Sequence, residues 1–498
     1  MPISPDPGSQ DFPHHTRPVN GQRGRDRALL AVLLALMLCL SNSLVTAAGN
    51  NLAAAASTGD HRAVEYLISS GVDVNLASPD GTTALAHAAH RNDLEMVELL
   101  LQAGADVTLA NDFGATALYL AAASAEAPVL EKLLTAGANP NTGLLSGETP
   151  LMIAISRGKL ETVRLLLDHD ADPNAAEHNG GQNALMWAVA EQHTELVDLL
   201  VEAEADVHIA SKSGFTPLMF AAQQGDVKSV QILLGAGANI NELMPKTNLT
   251  PLMIASASGF EEATTLLLES GASTGSVDSR GMTALHHAVN NLNALGVVKT
   301  LLQHGADPNA RLNHPRGRLM TSTELNLQGA TPLLLAADKG NIDMMRALIV
   351  AGADPSQTTE QNITALMMAV GAAASLSEER PAYAKQRALE VVKLLVELGN
   401  DVNAVGHFGW TSLHIAAYHG EDNVIQFLID KGADPNRLDS FGQTPLSISY
   451  AIVTEGIGDA YRQTARSYRK PTADLLLSLG AVPLERSGVK RVSERASK

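Results

Sequence analysis

Apolar residues along this chain recur in two short helical bursts followed by a polar turn, and this arrangement repeats about twelve times. Each first burst opens on a polar residue: Thr83, Thr116, Thr149, Asn183, Thr216, Thr250, Thr283, Thr331, Thr364, Thr411 and Thr444. The steps between them are 33, 33, 34, 33, 34, 33, 48, 33, 47 and 33 residues. A unit of that length cannot bury its apolar face alone. The period therefore predicts an all-α stacked array in which each unit covers its neighbours.

The unit from Ser213 to Asn241 shows how the pattern works. Thr216 suits an N-cap and Pro217 the first helical position, where a missing N–H costs nothing. Leu218, Ala221 and Ala222 face inward on a short helix that Gly225 ends. Val227, Val230, Leu233 and Leu234 follow helical spacing on a second helix, and Gly237 supplies the left-handed residue that stops it. Ala238 to Asn241 then lead into an exposed turn.

Gly-x-Thr-Pro-Leu, a short helix, Gly, a Val/Leu helix and Gly-Ala-Asp-x-Asn together resemble the ankyrin repeat. The likeness runs from about Asn50 to Val482 and is close from Gly409 to Ala417 and from Gly432 to Asn436. Met replaces the family's histidine at Met152, Met186, Met219, Met253 and Met367. The resemblance implies a solenoid of helix-turn-helix units with short exposed turns or β-hairpin fingers. It also implies a concave face, lined by turns and first helices, that binds a protein partner. Asn51–Val74 and Thr444–Val482 are expected to be the two capping units.

Residues 1–48 do not fit the array. Arg23, Arg25 and Arg27 precede the apolar run Ala28–Leu40, and small residues follow at Val45–Ala48. These are the three parts of a signal peptide, so the chain is expected to be exported, either periplasmic or secreted. An uncleaved anchor is the second reading, because residues 28–48 approach the ~20 apolar residues of a spanning helix. The membrane is then reached only through that segment. The single cysteine, Cys39, lies within it, which leaves the array without disulfides and tilts the reading toward a bacterial periplasm.

The net charge of −18 argues against nucleic acid and anionic membrane surfaces as partners. Aromatic residues make up 3% of the chain, which suits thin, closely packed helices better than an aromatic-lined pocket.

Function is expected where the copies differ. The 48-residue step adds residues around 313–326, where His314, Arg316 and Arg318 make a turn locally basic. The 47-residue step adds residues 374–387 between two helices, with Tyr383, Lys385 and Arg387. Residues 452–470 of the last unit are similar in character, with Tyr461, Arg466, Tyr468 and Arg469. These are the candidate partner-contacting residues, with packing onto the array or lengthening of a helix as the alternative for the latter two additions. Asp170 and Glu204 stand where other units carry the terminating glycine, at the end of a helix where negative charge is unfavourable. The tail, residues 483–498, is basic and expected to be disordered.

No catalytic residue, cofactor or metal site is expected. Gly271–Gly275 matches Gly-x-Ser-x-Gly but stands where other copies read Gly-Ala-Asp-x-Asn, without the strand and helix that motif requires. His87 with His90 lacks a third ligand, and His286 and His414 are expected to hydrogen-bond within their own turns. The reading is a non-catalytic protein-binding array. An enzyme or small-ligand site at the edge formed by residues 374–387 and 452–470 is one alternative, and a membrane-anchored scaffold is the other. Partner identity, oligomeric state and host are left open by the sequence.

Overall fold

A computed structural model of the chain describes residues 52–124, 127–313, 327–371, 382–450, 452–453, 469–483 and 490–491. The chain divides into two compact units, Met1–Asp206 and Val207–Lys498, a division that falls between consecutive repeats.

The first unit holds five helix pairs among its described residues: Leu52–Thr58 with His61–Ser69, Ala84–His90 with Leu94–Gln102, Ala117–Ser124 with Ala127–Thr135, Pro150–Ser156 with Leu160–Asp168, and Ala184–Ala190 with Thr194–Glu202. The second holds seven. These are Pro217–Gln224 with Val227–Gly235, Pro251–Ser258 with Glu261–Glu269, Ala284–Asn290 with Leu295–Gln303, and Pro332–Asp338 with Ile342–Val350. Ala365–Val370 with Ala382–Glu397, Ser412–His419 with Asp422–Asp430, and Pro445–Ser449 with Lys470–Ser478 complete it. Within each unit, first helices stack on first helices and second helices on second.

The expected caps form. Thr149, Thr216 and Thr250 accept the amide of the residue three positions on, as Asn183 does through its side-chain oxygen. That third residue is Met152, Met186, Met219, Met253 or Met367, and each is fully buried. An unbranched thioether fills the space between adjacent first helices where a histidine would need hydrogen-bond partners. His286 and His414 have those partners. Thr283 N–H donates to His286 Nδ1 at 3.2 Å, and Thr411 N–H donates to His414 Nδ1 at 3.1 Å.

The repeated Gly-Ala-Asp-x-Asn is a latch between neighbours. Asn403 Nδ2 donates to Gly432 O at 2.8 Å and its Oδ1 accepts from Asp434 N at 2.9 Å. Asn309 does the same to Gly352 and Asp354, and Asn436 to Gly480 and Val482. The Asp organises its own loop: Asp401 accepts from Asn403 N, and Asp434 from Asn436 N, both at 2.8 Å. Each copy of the motif therefore ties two units together through exposed bonds worth about 1 kcal/mol each.

A second device joins the units at their inter-helix loops. A side chain of the following unit covers the loop glycine: Arg91 over Gly59, His193 over Gly158, Phe260 over Gly225, Arg387 over Gly340 and Arg469 over Gly420. A Cβ at Gly225 would stand 2.5 Å from the Phe260 ring, so these loops need glycine for space as well as for backbone conformation.

Two features depart from the sequence expectation. Residues 374–387 do not all lie between helices, because the second helix of that unit begins at Ala382 and runs sixteen residues to Glu397. Ala382 to Ala388 are mostly good helix formers and simply extend it. In the tail, Lys490–Arg491 pairs antiparallel with Ile452–Val453. Elsewhere among the described residues β-pairing is confined to the single bridges Ala110–Thr116 and Ala176–Asn183, so the fingers are tight turns rather than ribbons. Asp170 and Glu204 adopt the left-handed conformation of the glycines they replace, at φ 63° and 60°.

Candidate partner-binding surface

The turns between units are organised from the base upward. In the second compact unit, Asp278 Oδ1 accepts from Arg280 N and Met282 N, each at 2.8 Å, and Asp278 N donates to Met282 O. His287 Nε2 lies 3.1 Å from Asp278 Oδ2. Burial alone would raise the Asp278 carboxyl, but the bonds from His287 and the two amides hold it below the usual carboxylate range. Asp439 repeats the scheme: its Oδ1 accepts from Phe441 N and Gln443 N, and its Oδ2 from Trp410 Nε1 at 3.0 Å. Both carboxylates are buried and committed to holding a turn.

Consecutive tips are then bonded to one another. Ser279 N donates to Thr247 O at 2.7 Å, Glu360 N to Gln328 O at 2.9 Å, and Ser440 N to Phe408 O at 2.8 Å. Gly281, at φ 77°, lies so close to the next turn that a Cβ there would meet Asn313 backbone atoms. The first compact unit uses the same geometry, with Asp112 N donating to Asp80 O and Leu145 N to Phe113 O. Each row of tips is preorganised, which lowers the ordering cost of binding.

Aromatic side chains gather at one place on this row. Phe408 packs on Phe441 with ring centroids 5.6 Å apart, and Trp410 lies 5.9 Å from Tyr418 and 6.5 Å from His414. Phe408 holds a left-handed backbone, φ 59° and ψ 15°, while leaving 37% of its surface exposed. That conformation is strained for a bulky residue, and such strain persists where the surroundings impose it, often at functional positions. Val405 and Leu438 are exposed beside it.

The long addition is rooted on the same row. Leu312 N donates to Ala330 O and Gly329 N to Leu312 O, closing a regular turn base beneath it. The chain leaves that turn at Asn313 and re-enters at Leu327, so the repeat register is undisturbed. His314, Arg316 and Arg318 lie between these points and outside the described residues, as do Tyr461, Arg466 and Tyr468. Tyr383 falls within the lengthened helix. Arg387 is exposed, with its stem against Gly340, and Arg469 is half-buried over Gly420. The structure thus ties both arginines to the inter-helix loops, far in chain position from the turn that carries 314–318.

Other chemistry is sparse. His87 and His90 share a helix, with both imidazoles pulled below their ordinary value by burial. No group of three or more metal-ligating side chains occurs among the described residues. No helix of the described residues is long and apolar enough to cross a membrane.

The family described as Ankyrin repeats (3 copies) matches residues 52–143, 122–211, 176–244, 218–311 and 382–459, and Ankyrin repeat matches 328–360. The chain belongs to the ankyrin repeat family, whose repeats are a protein–protein interaction module. Among characterised relatives it is similar to the Notch-regulated ankyrin repeat-containing protein of Xenopus tropicalis, 49% identical over 37 residues, and of Homo sapiens, 46% identical over 37 residues. Each match spans 7% of this chain and 32% of the relative, so the chain covers about a third of the curated relatives it resembles.

The residues that sequence reasoning passed over are Phe408, Phe441 and the cations of the turns. Their signal was present: six aromatic residues fall between Phe408 and Tyr450 in a chain that has few.

Proposed function

We propose that this protein is an exported, non-catalytic binding array that presents the turn tips of residues 207–498 to a protein partner. The observation that carries this reading is the row of tips, joined in pairs by backbone bonds at Thr247–Ser279, Gln328–Glu360 and Phe408–Ser440, which displays the Phe408 cluster and roots the addition at 313–326. Interfaces concentrate their energy in aromatic anchors held by rigid surroundings. His314, Arg316 and Arg318, in the addition whose two ends are rooted in that row, would add a basic contact beside it. Tyr383, Tyr461, Arg466 and Tyr468 would form a second contact edge, to which Arg387 and Arg469 add charge. Export rests on Arg23, Arg25 and Arg27 ahead of the apolar run Ala28–Leu40.

Affinity capture with residues 49–498 in host extract, read by crosslinking and mass spectrometry, tests the binding role. Crosslinks at residues 313–326 and 405–441, lost when 313–326 is deleted or Phe408 replaced by Ala, are expected. A folded bait that crosslinks to nothing overturns the proposal. N-terminal sequencing of the native protein tests export: a start near Gly49 supports cleavage, an intact Arg23–Leu40 segment in the membrane fraction supports the anchor, and an intact soluble protein refutes both.

A further inference from the structure

The turns carry a change of sign. In the first compact unit the turns at 75–82, 108–115, 141–148 and 174–182 contain no Lys or Arg; they carry Asp80, Asp112 and Glu148, and Glu177, which is buried under the amides of its own turn. In the second unit the equivalent turns carry Lys212, Lys246, Arg280, Arg311 and Arg437. Every lysine and arginine of these described turns therefore lies in residues 207–498, within a chain whose net charge is −18.

The exposed charge is more one-sided than the sequence. Asp278 and Asp439 share turns with Arg280 and Arg437, but they are buried and hold those turns together. Glu242 accepts from Asn239 Nδ2 at 2.7 Å. Glu242 and Glu360 therefore remain as the acids of this row that reach solvent. Lys246, Arg280 and Arg437 all face outward, and Arg280 keeps 45% of its side chain exposed although Asp278 is 3.6 Å away. Apolar side chains stand among them: Val277 is 50% exposed and Leu438 53%, next to Arg437, with Phe408 beyond.

We infer that this row docks an acidic protein segment carrying apolar or aromatic side chains. The inference rests on the protein-binding role proposed above and names the chemistry of the partner. Cations spaced along the tips would attract and align the segment's carboxylates, while Val277, Phe408 and Leu438 receive its apolar side chains. The acidic turns of the first unit repel the same segment, which confines it to the second. A polyphosphate fits less well, because it needs a continuous basic stripe to release counterions, and these cations are spaced singly along the tips of a chain whose net charge is −18.

The test uses the full chain and a fluorescently labelled random copolymer of Glu and Tyr, with a Lys–Tyr copolymer, duplex DNA and phosphatidylcholine–phosphatidylglycerol vesicles as competing probes. Binding of the Glu–Tyr copolymer is expected, weakened about tenfold (about 1.4 kcal/mol in all) by Lys246→Glu with Arg280→Glu and Arg437→Glu, since three exposed, solvent-screened attractions are reversed. Neutralising the same three to Gln should give an intermediate loss. Asp112→Lys in the first unit should leave binding unweakened. All three variants alter exposed turn tips, and circular dichroism checks that they fold. Equal binding by parent and triple variant overturns the inference, as does preference for the Lys–Tyr copolymer, DNA or the vesicles. A captured host partner crosslinked to these tips through a basic segment would also overturn it while leaving the binding role intact. A bait that crosslinks to nothing would instead remove the binding role.

Discussion

His286 gives the array a calculable sensitivity to acid. The ring is fully buried, and its Nδ1 lies 2.8 Å from Thr283 Oγ1 and accepts from Thr283 N–H, while Nε2 faces Ala330 O at 3.4 Å. A proton added at Nδ1 would point at an amide hydrogen, and the new charge would have no water. Burial pulls the imidazole down to about 4 from an ordinary 6.5. Below pH 6.5 the unfolded chain takes up a proton that the folded chain refuses. This contribution to stability is therefore complete above about pH 6.5 and is lost as pH falls toward 4. Integrating the linkage gives a loss of about 2 kcal/mol at pH 5 and about 3 kcal/mol once both states are protonated.

His286→Met tests this, because methionine already fills the equivalent buried position in five other units. The variant should lose about 1–2 kcal/mol at pH 8, from the bonds to Thr283 and Ala330. That deficit should close by about 2 kcal/mol at pH 5, since the variant has nothing to protonate. A repeat array need not unfold as one block. The readout is therefore urea unfolding with peptide-resolved hydrogen exchange across Ala284–Gln303, comparing the two proteins at each pH so that other titrations cancel. A deficit that stays constant from pH 8 to pH 5 would refute the reasoning.

Other outcomes follow from the same geometry. Asp170→Gly and Glu204→Gly should each raise stability by about 1 kcal/mol, because both residues sit at positive φ at the end of a helix, and thermal unfolding will show the gain. Asn403→Ala removes both bonds to the next unit and should cost about 1–2 kcal/mol, with faster hydrogen exchange around Gly432–Asn436 as the local sign. Gly225→Ala should cost at least about 1 kcal/mol, because φ is 67° and the Phe260 ring fills the space a methyl would need. In that background Phe260→Ala should recover part of the loss in a denaturant titration, whereas no recovery would place the cost in the backbone alone.

What was legible in the sequence was local or periodic. Thr216-Pro217 marks a helix start by itself, and the step to Thr250 marks a unit. What was illegible depended on neighbours. Asn403 reads as a turn residue, yet its bonds reach 29 and 31 positions along the chain. Arg387 and Arg469 read as candidate partner contacts in inserted segments; the structure sets them over Gly340 and Gly420, in the place that Phe260 and His193 take elsewhere. The sixteen-residue helix from Ala382 was open in the sequence only as an alternative, because its first turns carry no apolar stripe, only residues with good helix propensity. The boundary at Asp206 and Val207 leaves no mark in the repeat pattern.

The turn surface shows why net charge misleads in such a protein. Counting residues, the turns at Asp278–Arg280 and Arg437–Asp439 are neutral. Once the fold buries each aspartate under the amides of its own turn and against the ring of His287 or Trp410, the same sequences present a cation to solvent. The chain's overall acidity is then a background against which these few cations stand out, and the proposed selectivity for an acidic segment rests on that contrast. Phe408 makes the parallel point for apolar surface. Its neighbour Gly409 has the backbone freedom a tight turn needs, yet Phe408 also takes the left-handed conformation and keeps its ring at the tip. Glycine or asparagine would hold that backbone with less strain, and packing on Phe441 and His407 offsets part of the cost of keeping an aromatic ring there.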